Sequence, residues 1–253
     1  MILRRIIEHL RKQEWTAIGI DFVIVVIGVF VGIQLGNWNE ARAMRAQESA
    51  YLAQLRDEIV ENDRMLEYLA IYTDRSVEAG RTALEWLESD EPCGSRCGEL
   101  LIDFFHASQL WGTGFQTGKY AENERRSFPT DGATRAAVRR FYIYLAGWDP
   151  INLTPPVYRE RLRRRLSPEA AAVLWGDCFI VEAEIETMST DCAPQLADVD
   201  TASVLRAIRA DDQIADDLRF WIGQNIFAQQ EYPRARESAA SAIAAINAEI
   251  GPP

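Results

Sequence analysis

Histidine and lysine are scarce in this 253-residue sequence, and their scarcity narrows the chemistry open to the chain. The histidines are His9 and His106 and the lysines are Lys12 and Lys119, so nearly all of the positive charge is arginine. No Gly-x-Ser-x-Gly or His-Glu-x-x-His motif is present. His106 is then the one conventional general base beyond the N-terminal region, and the pattern FFHAS around it favours a core or surface residue of a helix. We expect no catalytic, cofactor-binding or metal site.

A phosphate-binding loop is also lacking. The segment GTGFQTGKY, residues 112–120, is glycine-rich, but such a loop requires Gly-x4-Gly-Lys-Ser/Thr. Thr113 stands where the first glycine belongs, and Tyr120 replaces the hydroxyl residue. We expect no nucleotide binding.

Positive charge is in deficit over most of the chain, which has a net charge of −11. Residues 1–39 hold four basic and three acidic groups, so the remaining residues carry a net charge of −12. Because neutralisation of phosphates supplies most of the affinity for nucleic acids, a body this acidic predicts that the protein binds no nucleic acid.

One long apolar run is present, WTAIGIDFVIVVIGVFVGIQL at residues 15–35. A helix of about 20 residues crosses a hydrocarbon core of about 30 Å. Four basic residues precede the run, and Trp15 and Trp38 flank it as interfacial aromatic residues do. We predict a cytoplasmic basic segment at 1–14, a transmembrane helix at 15–36 and an exported domain at 37–253. The alternative is a signal peptide cleaved after Ala43, in the small-x-small triplet Ala41-Arg42-Ala43.

A row of glycines lies within the apolar run, and an acidic residue precedes it. Gly28, Gly32 and Gly36 recur at every fourth position, and Asp21 falls near the same side of the helix. Small residues in such a row let a second backbone approach closely, which predicts a packing face for a partner helix. The alternative is that glycine is simply frequent in membrane helices. Asp21 lies close to the start of the helix, and we expect its carboxylate to reach the membrane interface.

The four cysteines all follow the apolar run. They are Cys93, Cys97, Cys178 and Cys192. An even number beyond an export or anchor segment suits disulfides in an oxidising compartment, and the local pairs Cys93 with Cys97 and Cys178 with Cys192 are the simplest of three pairings. Zinc binding and free thiols are the alternatives, although the spacing matches zinc ribbons and knuckles poorly.

The rest of the chain reads as helices. Between Glu40 and Ser89 the only glycine is Gly80 and proline is absent, so we predict one long helix there. Its apolar seam follows alternating steps of three and four residues: Leu52, Leu55, Ile59, Asn62, Leu66, Leu69 and Thr73. Further helices are predicted at Glu99–Trp111, at Thr130–Pro150 with Gly147 and Pro150 ending it, after the N-cap Ser167, and at Val204–Ala210 after the cap Asp200. Two more are predicted at Asp211–Tyr232 and Glu237–Gly251, with an interruption at Pro233 between them.

Five arginines are concentrated in the segment RERLRRR. They are Arg159, Arg161, Arg163, Arg164 and Arg165. Such a run suits an anionic ligand or the carboxylates of a partner. In a body with a net charge of −12, the alternative is that these arginines pair with acidic residues of the chain itself.

The junction GVFVGIQLGNWNEAR passes from the apolar helix into Asn37, Trp38, Asn39 and Glu40. It resembles the N-terminal signature of a bacterial family of uncharacterised single-pass membrane proteins, annotated only as a domain of unknown function. The resemblance covers about residues 1–60 and implies an anchored, helical and exported body. It implies no activity, substrate or catalytic residue.

We therefore expect an all-α protein of the bacterial inner membrane. Its N-terminus is predicted to be cytoplasmic, its membrane helix to continue into the long helix, and its body to be a periplasmic antiparallel bundle. The predicted function is that of a non-enzymatic structural or interaction subunit, in contact with the bilayer and with a second copy or another membrane protein. The alternatives are a periplasmic ligand-sensing domain, with a pocket rimmed by Trp111, Tyr120 and Tyr142 or by the arginine run, and a secreted helical protein with a cleaved signal peptide.

Overall fold

A computed structural model describes residues 15–110, 114–182 and 185–251 of the chain. The chain divides into two compact units, one ending at Tyr51 and the other beginning at Leu52. The helices are α1 (Trp15–Glu88), α2 (Cys97–Ala107), α3 (Gly118–Arg126), α4 (Gly132–Leu153), α5 (Val157–Arg163), α6 (Pro168–Gly176), α7 (Thr201–Arg209) and α8 (Ile214–Ile250), with one hairpin of β1 (Phe179–Glu182) and β2 (Ile185–Met188). The predicted all-α class is confirmed.

The part of α1 from Leu52 onward forms one side of the body, and its predicted seam is confirmed. All seven seam residues, from Leu52 to Thr73, are at most 4% exposed. Asn62 is buried on this seam because its side-chain amide makes two hydrogen bonds to the backbone of Gln116, at 2.7 and 2.9 Å. Apolar and satisfied polar groups therefore share one face of the helix, as burial requires.

Helix α8 runs antiparallel to this part of α1. The contacts between the two helices, in order along α1, are Arg56 with Asn247, Asp63 with Arg236, Thr73 with Tyr232, Asp74 with Gln229, Gly80 with Ile222, and Glu88 with Arg219. At a rise of about 1.5 Å per residue, the 37 residues of α8 extend over about 55 Å. One helix pair thus connects both ends of the body.

The body has two hydrophobic clusters along this helix pair. The first surrounds α2 and includes residues of α5, α6, α7 and the start of α8. The second lies between residues 52–72 of α1, helix α4 and the later part of α8. Because α1 and α8 contribute to both clusters, they join the two parts of the core.

Helix α2 is the most deeply buried element, and the carbonyls at its C-terminus are satisfied by side chains of other helices. Tyr158 donates a hydrogen bond to the carbonyl of Phe104 at 3.0 Å, and the indole of Trp221 donates to that of Ala107 at 2.9 Å. These groups would otherwise be unpaired in an apolar core. Helices α5 and α8 are thereby fixed to α2.

The hairpin that follows α6 was not predicted from the sequence. Its strands pair antiparallel, with Phe179 opposite Met188 and Glu182 opposite Ile185. The disulfide between Cys178 and Cys192 joins the chain before β1 to the chain after β2, with the Cα atoms 5.3 Å apart. The cross-link and the buried Met188 hold a two-stranded ribbon that would be marginal by itself.

Two predicted helix ends are wrong. Helix α4 continues beyond Gly147 and Pro150 to Leu153, and α8 continues through Pro233 without a break. A proline inside a helix removes one backbone hydrogen bond. On either side of Pro233, the side chains of Tyr232 and Ala235 are buried in the same cluster, and this packing holds both halves of α8 in line.

Three other predicted helix boundaries are confirmed by local geometry. The hydroxyl of Ser167 accepts a hydrogen bond from the backbone N–H of Ala170, and Asp200 accepts one from Ser203 at 2.9 Å. Gly251 ends α8 with a φ of +85°, a conformation that glycine adopts readily.

Candidate functional site

The side chains of the apolar part of α1, before Tyr51, are exposed in the structure. Its large side chains from Ile20 to Leu35 are 46–68% exposed. Within the described residues, this is the one helix with the length and composition to cross a membrane, although a signal sequence near the N-terminus meets the same criterion. An uncovered apolar helix of this length is out of place in water, because its burial in lipid or protein is favourable.

The predicted glycine row lies on this helix with free space around it. A Cβ atom added to Gly28, Gly32 or Gly36 would meet no atom within 4 Å. The row therefore has room for a close-packed neighbour. The side chain of Asp21, which was predicted to lie near the same face, is outside the described part of the structure.

Both predicted disulfides are present. Cys93 pairs with Cys97 in the loop between α1 and α2, with a Cα–Cα distance of 4.9 Å. Cys178 pairs with Cys192 in the core, where both residues are buried. Among the described residues, no group of three or more potential ligands could hold a metal ion. Because all four cysteines are joined in disulfides, the alternatives of zinc binding and free thiols are wrong for them.

The arginine run divides into an outer and an inner group. The outer group consists of Arg161, Arg164 and Arg165, which pair with acidic residues of the chain itself. Asp211 is nearly buried, at 5% side-chain exposure, and accepts a hydrogen bond from Arg165 at 2.8 Å. The pairs are Arg161 with Asp211 and Asp217, Arg164 with Glu160, and Arg165 with Asp211.

The inner group, Arg159 and Arg163, lies one turn apart on α5 and faces the end of α2. Arg159 donates to the carbonyl of Ser108 at 2.8 Å, and Arg163 donates to the side-chain carbonyl of Gln109 at 3.2 Å. The Arg163 guanidinium lies 4.4 Å from the ring centroid of Trp175. A cation next to the C-terminus of a helix is favourable, so this pair stabilises the packing of α5 on α2.

The inner pair also has an unusual electrostatic environment. Burial, followed by the neighbouring charge of Arg159, lowers the pKa of Arg163 to about 9. In the described part of the chain, no carboxylate forms an ion pair with either guanidinium, and the Nε of Arg163 is buried without a hydrogen-bond partner. The anion or partner contact that we predicted for this run stays a prediction.

His106 lies in the core and not in a cleft. It is 3% exposed, and its Nε2 lies 3.2 Å from the carbonyl oxygen of Cys178. Because a carbonyl only accepts hydrogen bonds, Nε2 must carry the proton. Burial lowers the pKa of His106 to about 4, so the imidazole is neutral near pH 7. This position connects α2 to the hairpin and suits a structural histidine.

An open cleft lies beside two residues that we predicted to rim a pocket, Tyr120 and Tyr142. Their rings are stacked, with centroids 4.0 Å apart and planes 7° apart. The cleft has a volume of about 580 Å³, and Phe115 and Leu145 also line it. The third predicted residue, Trp111, lies outside the described residues. The cleft is apolar and aromatic, as small-molecule sites commonly are.

The cleft depends on Glu58, a residue that the sequence interpretation missed. Glu58 is 6% exposed, and its carboxylate accepts hydrogen bonds from the Tyr142 hydroxyl at 2.6 Å and from the backbone N–H groups of Lys119 and Tyr120 at 2.6 and 3.0 Å. It thus fixes the first turn of α3 against α4. Its position between Leu55 and Ile59, at the edge of the buried seam, was the one signal in the sequence.

No family model, no curated protein and no solved structure matches this chain. The resemblance of the segment around Asn37–Glu40 to a bacterial membrane family therefore stays a prediction.

Proposed function

We propose that the protein is a non-enzymatic interaction subunit anchored in a bacterial inner membrane, with its N-terminus in the cytoplasm and its body in the periplasm. The observation that carries this proposal is the uncovered apolar helix before Tyr51, whose large side chains are 46–68% exposed. Burial of apolar surface is worth about 25 cal/mol per Å², so lipid is a far better environment for this helix than water.

The two disulfides support a periplasmic body. Cytosolic thiols are kept reduced, whereas disulfides persist in exported proteins. Cys178 and Cys192 are joined inside the core, and Cys93 and Cys97 are joined in a surface loop. The basic residues before the helix favour the same topology, since arginine and lysine are enriched on the cytoplasmic side.

The glycine row supports assembly through the membrane helix. The free space at Gly28, Gly32 and Gly36 suits a second helix that packs backbone to backbone. The partner is a second copy of the chain or another membrane protein. The absence of any atom near these glycines also means that a larger side chain there leaves the fold of the chain itself unchanged.

Membrane extraction and N-terminal sequencing test the anchor. We expect the mature protein to stay in the membrane fraction after washing at alkaline pH and to be released only by detergent. We also expect its sequence to begin before the apolar helix. A mature protein that begins at Met44 would support the secreted alternative and would refute the anchor.

Chemical crosslinking in intact membranes tests assembly through the glycine row. We expect the wild-type chain to form crosslinked species and the Gly32→Leu variant to form none. Gly19→Leu is the matched control, because Gly19 lies on the same helix, also has no atom near an added Cβ, and projects from roughly the opposite side at about 100° per residue. Equal crosslinking of the two variants would contradict the glycine face.

A second candidate function is ligand sensing by the body, which the cleft beside Tyr120 and Tyr142 favours. The test is thermal stabilisation of the detergent-solubilised protein by a library of aromatic small molecules. Ala146→Trp, which fills the cleft, should remove the response. Ala240→Trp, at an exposed position of α8, should retain it. If no compound stabilises the wild type more than it stabilises Ala146→Trp, the result would count against ligand sensing at this cleft.

A further inference from the structure

The exposed side of α4 carries arginines without ion-pair partners. Arg135, Arg139 and Ile143 follow one another at every fourth position, with Arg140 beside them. Arg135 donates hydrogen bonds to the backbone carbonyls of Pro129 and Ser127, both at 2.8 Å. Over the described residues, no carboxylate lies within 4.0 Å of Arg135, Arg139 or Arg140. Unpaired arginines are unexpected in a body with a net charge of −12.

These arginines border a groove between α4 and α8, which we call the α4–α8 groove. It consists of two depressions of about 470 and 250 Å³ that both helices line, and a third of about 480 Å³ adjoins them on α4 alone; all three share Tyr144. The small residues Ala133 and Ala137 on α4 and Ser238 and Ser241 on α8 line its first part. Because these side chains are short, the two helices leave a trough wide enough for another chain to approach.

The groove changes character along its length. Its first part, together with the adjoining depression on α4, is basic: four arginines face one glutamate, Glu237, which leaves a net charge of +3. Its second part is apolar, with Ile143 and Phe227 at 62% and 54% exposure beside the buried Trp148. Glu231 is paired with Arg234, so Arg139 and Arg140 keep their charges available.

A buried polar group in the groove also has no partner. Ser238 is 7% exposed, lines the basic part, and its hydroxyl makes no hydrogen bond in the structure. A buried hydroxyl without a hydrogen-bond partner is unfavourable.

We propose that the α4–α8 groove binds an acidic amphipathic helix of a partner protein. Carboxylates of that helix pair with Arg139 and Arg140, and its apolar residues pack on Ile143 and Phe227. A concave groove lined by small residues suits a helix about 10–12 Å across better than it suits a lipid surface. This inference rests on the proposed function of an interaction subunit. It adds a second binding surface, besides the glycine row, and states the chemistry of the partner that binds there.

The test measures the binding of two synthetic peptides to the full-length protein in detergent micelles, by fluorescence anisotropy. Both peptides have about 16 residues with leucines at helical spacing, and they carry either glutamate or lysine at the polar positions. We expect binding of the glutamate peptide, weaker binding at high salt, and no binding of the lysine peptide.

Charge reversal and apolar truncation then locate the site. The double variant Arg139→Glu/Arg140→Glu should weaken binding of the glutamate peptide at least about tenfold, and Phe227→Ser should weaken it by about the same factor. Arg206→Glu is the matched control at another exposed arginine and should bind as wild type does. Thermal melting followed by circular dichroism shows whether each variant is folded. If Phe227→Ser is unfolded, Ile143→Ser is used in its place.

Four outcomes overturn the proposal, and the first three come from the binding measurements. They are equal binding of both peptides, unchanged binding by the charge-reversed variant, and binding of anionic lipid vesicles through Arg139 and Arg140 without binding of the peptide. Loss of a dimer in the charge-reversed variant, measured by sedimentation, would make the occupant a second copy and would also overturn it. Failure of the anchor would instead appear in membrane extraction and leave peptide binding intact.

Discussion

The carboxylate of Glu58 accepts a hydrogen bond of 2.6 Å from the hydroxyl of Tyr142, across 84 residues of sequence. The same carboxylate accepts hydrogen bonds from two backbone N–H groups at the start of α3. Three donors thus converge on one buried acid, which holds α1, α3 and α4 together. Tyr142 then supports Tyr120 by stacking, so the shape of the cleft depends on Glu58.

Glu58→Gln is expected to destabilise the body by about 2 kcal/mol. The amide nitrogen of glutamine cannot accept, so one of the converging N–H groups would stay unpaired in a buried position. Urea denaturation of the solubilised protein measures the change. Glu61→Gln is the matched control on the same helix: Glu61 is exposed and forms a surface ion pair with Arg64, and its replacement should cost less than about 0.5 kcal/mol. Equal losses in the two variants would contradict the role of Glu58.

Gly80→Ala is expected to destabilise the body by about 1–2 kcal/mol, although alanine favours helices. A Cβ at residue 80 would lie 2.8 Å from Cγ1 of Ile222, so the side chain of Ile222 or the two helices would have to shift. Gly223→Ala is the control, because an added Cβ there meets no atom within 4 Å, and it should raise stability by about 0.5–1 kcal/mol. In an Ile222→Ala background, Gly80→Ala should destabilise the body much less, because the clashing side chain is gone. An undiminished loss of unfolding free energy would refute the steric explanation.

The two disulfides are expected to differ in their contribution to stability. Replacing both Cys178 and Cys192 with alanine should cost about 3 kcal/mol, and replacing both Cys93 and Cys97 should cost about 2 kcal/mol. The first pair closes a longer loop, with a sequence separation of 14 against 4, and its residues are buried in the core. Thermal melting with and without a reducing agent measures both effects. A larger loss from the Cys93 and Cys97 pair would contradict the expectation.

Stability is expected to fall in mild acid because of His106. Its folded pKa, about 4, is below the usual value of about 6.5, so the unfolded chain binds the proton more readily. The contribution of the neutral imidazole is complete above pH 6.5 and is lost as the pH falls toward 4, by up to about 3 kcal/mol. His106→Gln keeps a donor for the carbonyl of Cys178 and should flatten this part of the curve of unfolding free energy against pH.

Asp103 has the opposite effect on the pH dependence of stability, so its effect must be separated from that of His106. Burial raises the pKa of Asp103 to about 6, so its contribution falls as the pH rises from about 4 to 6. Asp103 is partly exposed, and solvent screening limits the effect to about 1–2 kcal/mol. The pH series should therefore be measured in an Asp103→Asn background. If the curve keeps its slope after His106→Gln in that background, another group is responsible.

Local patterns in the sequence predicted much of the fold. The seam of Leu52 to Thr73 is buried as its spacing predicts, because a helix places residues three and four apart on one face. Ser167 and Asp200 cap their helices through hydrogen bonds to the third residue that follows. Such features depend on residues within one or two turns of each other, and a sequence shows those directly.

The arginine run shows where prediction from the sequence stops. Arg161 and Arg163 are two residues apart, yet one pairs with Asp217 of a distant helix and the other lies against Trp175. Which arginine finds an acid depends on the packing of α5 against α8 and α6. Pro233 is a similar case, because burial of its neighbours outweighs the loss of one backbone hydrogen bond.

The sequence by itself determined the apolar helix, the long helical seam and the helix caps, because each follows from covalent connectivity and short-range periodicity, whereas it left the pairing of the cysteines open until the structure joined them. Only the tertiary structure decided that Glu58 collects three hydrogen-bond donors, that Gly80 meets Ile222, and that α4 and α8 leave a groove beside Arg139 and Arg140. These relationships join residues far apart in the chain, and they exist only once the helices have packed.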